Sequence, residues 1–320
     1  MISTENKHMA DQETPNKFIS NWVTGTLAIR AVILLGRLLP RATGLKLANF
    51  IGKRLGKNSD SSMVQAIRAN QWVIHEGKLS PKELDQLPTA VFQSAARCLF
   101  DFFYFLSRPE RLHTIVSFSP EAQNIITRIQ QNQPSVVVAP HLSNFDLMGY
   151  ALALEGLDIQ VLSFPNPNAS YRLQNRIRKK VGIHVTPMTL NAFRQARHRL
   201  RAGGSILTGL DRPLEGAHRE KYRPIFFGHE CALPVAYVRM AQEADAPVII
   251  MAATSQPEQT YRLIGSDPIW MESHPDLETE ILNNANRVHS EAEILIRNYS
   301  RQWAMFYPIW PQFLGVYSIR

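Results

Sequence analysis

The sequence predicts an α/β protein, a mostly parallel sheet flanked by helices with a helical N-terminal region in front. Three observations carry that expectation. From Trp22 to about Arg111 apolar residues recur at spacings of three and four, the period of a helix face. Beyond Arg111 short β-branched runs alternate with helical stretches, the texture of strand–helix–strand units. The 320 residues are 45% apolar, which suffices for a sizeable core and excludes a disordered tail protein or a disulfide-stapled miniprotein.

In chain order, residues 1–17 are polar, contain Pro15 and show no apolar run after a basic start, so an unstructured lead-in without a secretory signal is expected. Residues 18–111 form the helical region, with an interfacial placement expected, and 112–320 the α/β core. Trp22 to Leu39 is strongly apolar but carries Arg30 and Arg37 on one face. Its charge-free run, Phe18 to Ile29, has 12 residues, short of the roughly 20 that a bilayer-crossing helix needs. Two placements fit, a helix in the membrane interface that gives the region a membrane-associating role, or a helix packed on the core. Helical periods continue through Leu45, Phe50 and Ile51, through Val64, Ile67 and Trp72, and through Val91, Phe92, Leu99 and Phe102. Ser80-Pro81-Lys82-Glu83 reads as a helix cap with proline at the first position.

Strands are expected at Ser135 to Ala139, Gln160 to Phe164, Ile183 to Thr186, Ser205 to Thr208, Pro247 to Ala252 and Tyr261 to Gly265. Helices are expected at about Asn144 to Glu155, Ser170 to Val181, Asn191 to Ala202, Leu233 to Glu243 and Asp276 to Tyr299. Gly203 stands where a helix end needs a left-handed residue. After Arg301 the chain runs to Ile319 without a charge and holds Trp303, Phe306, Tyr307, Trp310, Phe313 and Tyr317. Pro308 and Pro311 rule out a continuous spanning helix there, leaving a core-closing tail or an aromatic rim at a lipid surface.

Charge is concentrated. The net charge is +8, yet between Ile159 and Leu210 nine basic residues stand without an acidic one, and the rest of the chain is close to neutral. That segment is expected to face something anionic. Cys98 and Cys231 are far apart and form no C-x-x-C pair, so neither a zinc ribbon nor a redox motif is expected, and no metal site.

One constellation can do chemistry. The run Val136-Val137-Val138-Ala139-Pro140-His141-Leu142-Ser143-Asn144-Phe145-Asp146 places a histidine just past a buried-looking strand and an aspartate in the first turn of the next helix. An aspartate five residues on can turn back to accept from Nδ1, leaving Nε2 as a base. Such a base can take the proton of a hydroxyl attacking a thioester. The chain has one other His-x-x-x-x-Asp/Glu spacing, His8 to Glu13, in the polar lead-in with no strand before it.

The run from His141 to Asp146 resembles the H-x-x-N-W/F-D/E form of the HX4D acyltransferase motif. Arg178-Lys179-Lys180-Val181-Gly182, Leu207-Thr208-Gly209-Leu210-Asp211-Arg212, Phe226-Phe227-Gly228 with Leu233-Pro234, and Gln302-Trp303-Ala304-Met305-Phe306 resemble its further segments in the right order. The sequence thus resembles the lysophospholipid acyltransferase superfamily, in the branch of the lipid A lauroyl/myristoyl and phosphatidylinositol mannoside acyltransferases. An F-P-E-G element of the glycerolipid type is missing.

The resemblance implies an O-acyltransferase that moves a fatty acyl chain from acyl carrier protein or coenzyme A to a hydroxyl of a glycolipid or lysophospholipid, peripheral or monotopic on the cytoplasmic face of the cell membrane. It implies His141 as general base with Asp146 as its orienting partner, and no cofactor beyond the thioester co-substrate. Asn144, Arg172, Arg176, Arg178, Asp211 and Arg212 are expected at the substrates, the arginines on phosphates. Partners are then membrane lipids with anionic headgroups, and no nucleic acid. The rival from another class is a non-catalytic basic protein that binds membranes or nucleic acid. No helix-turn-helix or zinc signature supports nucleic acid, and no G-x-S-x-G supports a serine hydrolase.

Overall fold

The computed structural model describes residues 26–165, 169–213 and 221–315. The expected lead-in 1–17, the beginning of the Trp22 to Leu39 helix, and Tyr317 lie outside the described residues.

Four helices form the N-terminal layer: α1 (Thr26–Leu38), α2 (Arg41–Gly56), α3 (Ser62–Ile74) and α4 (Pro81–Leu106). The start of α4 is a reciprocal cap, in which Ser80 Oγ accepts from the Glu83 amide while the Glu83 carboxylate accepts from the Ser80 amide. Gly44, Ala48, Gly52 and Gly56 recur every four residues on the buried side of α2. A Cβ on Gly52 would lie 2.5 Å from the Gln93 Cα, and one on Gly56 2.4 Å from the Thr89 Cα, so α2 meets α4 backbone to backbone. The pair is locked to the sheet by Arg41, which donates to both oxygens of buried Asp101 at 2.9 and 2.8 Å, while the Tyr261 hydroxyl donates to Asp101 at 2.8 Å.

The α/β part runs β1 (Val116–Phe118), α5 (Pro120–Gln130), β2 (Ser135–Ala139), α6 (Phe145–Leu154), β3 (Ile159–Ser163), α7 (Ala169–Lys180), β4 (His184–Pro187), α8 (Leu190–Arg201) and β5 (Ser205–Gly209). A short hairpin follows, β6 (Ile225–Phe226) with β7 (His229–Glu230), then α9 (Ala236–Glu243), β8 (Val248–Ser255), β9 (Tyr261–Gly265) and α10 (Leu277–Asn298). Seven strands make one sheet in the order β1-β9-β8-β2-β5-β3-β4, parallel throughout except between β8 and β9. Its faces follow the period of two. Val136 and Val138 enter a core with α8, α9 and α10, and Val137 and Ala139 one with α5 and α6.

The first apolar helix packs on the core along one face. Ile29, Val32 and Ile33 of α1 pack against Phe103 and Tyr104, while Leu27, Leu34 and Leu38 remain exposed. Arg108 closes the helix by donating to the carbonyls of Gly36 and Arg37. The aromatic tail is core-closing, since Trp303 and Trp310 are each 1% exposed and join the main core. No helix among the described residues is long and apolar enough to cross a membrane.

Candidate active site

Strands β2 and β5 are parallel neighbours with Ala139 opposite Gly209. His141 and Asp211 each stand two residues beyond that register pair, so the two side chains meet at the carboxyl edge of the sheet. Nδ1 of His141 lies 2.6 Å from Oδ1 of Asp211, and the His141 amide donates to Oδ2 at 2.9 Å. The buried indole N–H of Trp303 donates to the same Oδ2 at 2.7 Å.

Asp211 is fully buried. Burial alone would favour its protonated form, but the attraction of His141 and the hydrogen bonds from His141 and Trp303 hold its carboxyl below the ordinary carboxylate value. An ionised Asp211 needs a proton on Nδ1, which leaves the Nε2 lone pair of the imidazole outward. The His141 side chain is 26% exposed and its ring meets the edge of Phe145 at 5.1 Å.

Asp146, expected on His141 Nδ1, is bound elsewhere. Its Oδ1 lies 2.6 Å from Nε of Arg178, whose Nη1 donates to Asn175 at 2.8 Å. Arg178 is 7% exposed; against burial, the charge of Asp146 and then Tyr171 keep its guanidinium above the ordinary value. The pair joins the first turn of α6 to α7 behind the histidine loop. Asn144, expected at the substrate, is buried with its amide engaged at both ends. Its Oδ1 accepts from the Leu147 amide and its Nδ2 donates to the Cys98 carbonyl, so it caps α6 and anchors it on α4.

The loop between them is pinned by Gln302 to Ala304. The Ser143 amide donates to the Gln302 carbonyl at 2.8 Å, and the Ala304 amide donates to the His141 carbonyl at 2.8 Å. The Gln302 side chain pairs with both the amide and carbonyl of Ser255 at the end of β8. Ser143 sits at φ 49°, a left-handed conformation that this clamp holds in place. Neither Gln302 nor Trp303 is reachable from spacing, since their partners lie far away in the chain; their only sequence signal is the match to Q-W in the family pattern.

No activated nucleophile accompanies the histidine among the described residues. Ser143 Oγ is buried against Ser255 Oγ at 2.6 Å, and Cys98 Sγ lies 3.7 Å behind it. Burial pushes the Cys98 thiol up, and it pushes Cys231 up to about 12. Nor does any group of three or more His, Cys, Asp or Glu among the described residues form a metal site.

The expected basic platform divides. Arg178 faces inward, whereas Arg172 and Arg176 stand on the exposed side of α7. Arg199 binds the carbonyls of Ser205 and Asp158 at the starts of β5 and β3, the opposite end of the sheet from His141. Arg197 pairs with Glu243 at 2.8 Å. What stays at the histidine end is Arg212, next to Asp211. Its guanidinium is held over Phe164 and Tyr307 at 4.4 and 4.5 Å, donates to the Tyr307 hydroxyl at 3.0 Å, and pairs with no carboxylate among the described residues.

A family model described as bacterial lipid A biosynthesis acyltransferase matches residues 13–312, nearly the whole chain. No individual curated protein matches it.

Proposed function

This chain belongs to the bacterial lipid A biosynthesis acyltransferase family, and from that premise we propose direct O-acyl transfer from a thioester donor to a lipid hydroxyl, with His141 as the base. The observation that carries this reading is the Asp211–His141 pair with Nε2 outward and no partnered nucleophile beside it.

The acceptor hydroxyl gives its proton to Nε2 as its oxygen attacks the thioester carbonyl. The imidazolium is stabilised by Asp211, and collapse of the tetrahedral intermediate expels the thiolate, which recovers the proton. A base placed this way is worth about 10²–10⁴-fold in rate. The donor is acyl carrier protein or coenzyme A, and the acceptor a glycolipid or lysophospholipid reached from the membrane surface, with the enzyme peripheral on its cytoplasmic face. Arg212 is preorganised by its aromatic neighbours to meet a donor or acceptor phosphate, or the oxyanion. Arg172 and Arg176 contribute more diffusely from the outer face of α7. Asp146 and Arg178 serve by holding α6 in place.

The test is incubation of the purified protein with radiolabelled palmitoyl-CoA or acyl carrier protein thioesters and a membrane lipid extract, beside His141→Ala. New labelled lipid from wild type alone is expected. Equal labelling by both proteins, or none by either, refutes the reading.

A further inference from the structure

We infer that Gly209 sets which nucleophile reaches the base: its missing side chain is the clearance that admits a lipid hydroxyl, with the carbon chain it carries, to Nε2 of His141. The inference rests on the acyl-transfer reading and names the residue that selects lipid over water.

Gly209 ends β5, and neither conformation nor packing accounts for a glycine there. It lies in strand backbone, outside the left-handed region. A Cβ built on it would stand 3.4 Å from Cε1 of His141, an ordinary contact, and beyond its chain neighbours no other heavy atom among the described residues lies within 4 Å. Gly52 and Gly56, by contrast, would drive a Cβ into the backbone of α4. A glycine within a strand costs chain entropy and packs nothing, and with turn and backbone contact set aside its remaining use is close approach of a ligand.

The position is the low point of a notch. On the sheet face toward α5 and α6, Val137, Leu207 and Val161 make one row by register. The next row, at the carboxyl edge, is Ala139, Gly209 and Ser163, because Ala139 is opposite Gly209 and Ser163 follows Leu162, the partner of Thr208. Large side chains thus give way to small ones where the histidine stands. Cε1 is bonded to both ring nitrogens, so the open space over Gly209 adjoins Nε2. The ring is not free to refill it, since Nδ1 is held by Asp211 at 2.6 Å and the ring packs on Phe145. In the reaction the acceptor oxygen meets Nε2 directly, and its own carbon is the next group out. The acceptor therefore fills the notch, while the thioester carbonyl stands one atom further from the base. Water has no substituent and needs no notch.

Full-length wild type, Gly209→Ala and Gly209→Val are given radiolabelled palmitoyl-CoA and a membrane lipid extract, and labelled lipid and free palmitate are counted separately. Gly209→Val should lower labelled lipid about 10²-fold while keeping the release of free palmitate. Gly209→Ala should raise KM for the lipid with KM for the donor unchanged, and decides the matter if valine unsettles the strand. Equal loss of both products, or loss of neither, overturns the inference. A second measurement needs no turnover: diethyl pyrocarbonate, which carbethoxylates the free ring nitrogen, is followed at His141 by peptide mass spectrometry. Modification should be kept in Gly209→Ala and largely lost in Gly209→Val, with melting temperatures alike, and undiminished modification of Gly209→Val sinks the proposal. Absence of labelled lipid from wild type would count against the acyl-transfer reading alone, and the carbethoxylation would still decide the clearance.

Discussion

Asp211 approaches Nδ1 of His141 to 2.6 Å although 70 residues separate them in the chain. The contact is a product of strand register, because Ala139 and Gly209 are opposed and each side chain stands two residues further on. Asp211→Asn keeps the shape but loses the charge that fixes the Nδ1 proton. It should lower kcat by about 10²–10⁴-fold, measured as labelled lipid formed per time, with an unchanged melting curve. Asp146→Asn should leave much more activity in the fraction that stays folded. The reverse ranking would return the base-orienting role to Asp146.

Removing one partner of the Asp146–Arg178 pair strands the other. Arg178→Met should lower unfolding free energy by about 3–5 kcal/mol, read from urea titration. A change below about 1 kcal/mol would mean that solvent already screens the pair.

In the proposed reaction Trp303 acts as a positioning residue, since its indole N–H donates to Asp211. Trp303→Phe keeps the ring and removes one donor to the carboxylate. Loss of that donor raises the Asp211 pKa, so the acid limb of the kcat profile should move to higher pH while KM for the donor stays constant. A profile that only scales down would show a packing role instead.

His289 on α10 is fully buried beside Phe226, and desolvation lowers it to about 4. Its folded value is depressed, so below the ordinary histidine value the unfolded chain binds a proton that the folded protein refuses. Stability from this group is therefore complete at neutral pH and falls as pH drops from about 6.5 to about 4, by roughly 3 kcal/mol. Melting temperatures across that window should fall less for His289→Phe than for wild type. Parallel declines would refute the assignment.

The close approach of α2 and α4 leaves no room at Gly52. Gly52→Val should drive the helices apart and destabilise by about 1–3 kcal/mol or more, seen as a lower midpoint in chemical denaturation. An unaltered midpoint would show that α2 can shift freely.

Much of the architecture is legible because apolar period is a local property. The strands at Ser135 to Ala139 and Tyr261 to Gly265 and the left-handed Gly203 are read directly from the residues. β1 has three residues and β6 and β7 two each, too few to display a period, and α5 escapes notice although Ser119 caps it. The site divides in the same way. His141 is visible because it follows a strand, but its partner is a matter of strand order, so the nearby Asp146 stands in for the distant Asp211. Charge counted along the chain fares worst, because α7 turns Arg178 inward and Arg172 outward within two turns.

The Gln302 to Ala304 clamp has a consequence for biogenesis. The loop bearing His141 is made by the ribosome long before the three residues that hold it and before the indole that binds Asp211. A nascent chain that stops short of Ala304 has its strands and its histidine but no held loop. In the proposed reaction the base is therefore held in place only late in synthesis, once the segment that also brings Trp303 and Trp310 into the main core has been made.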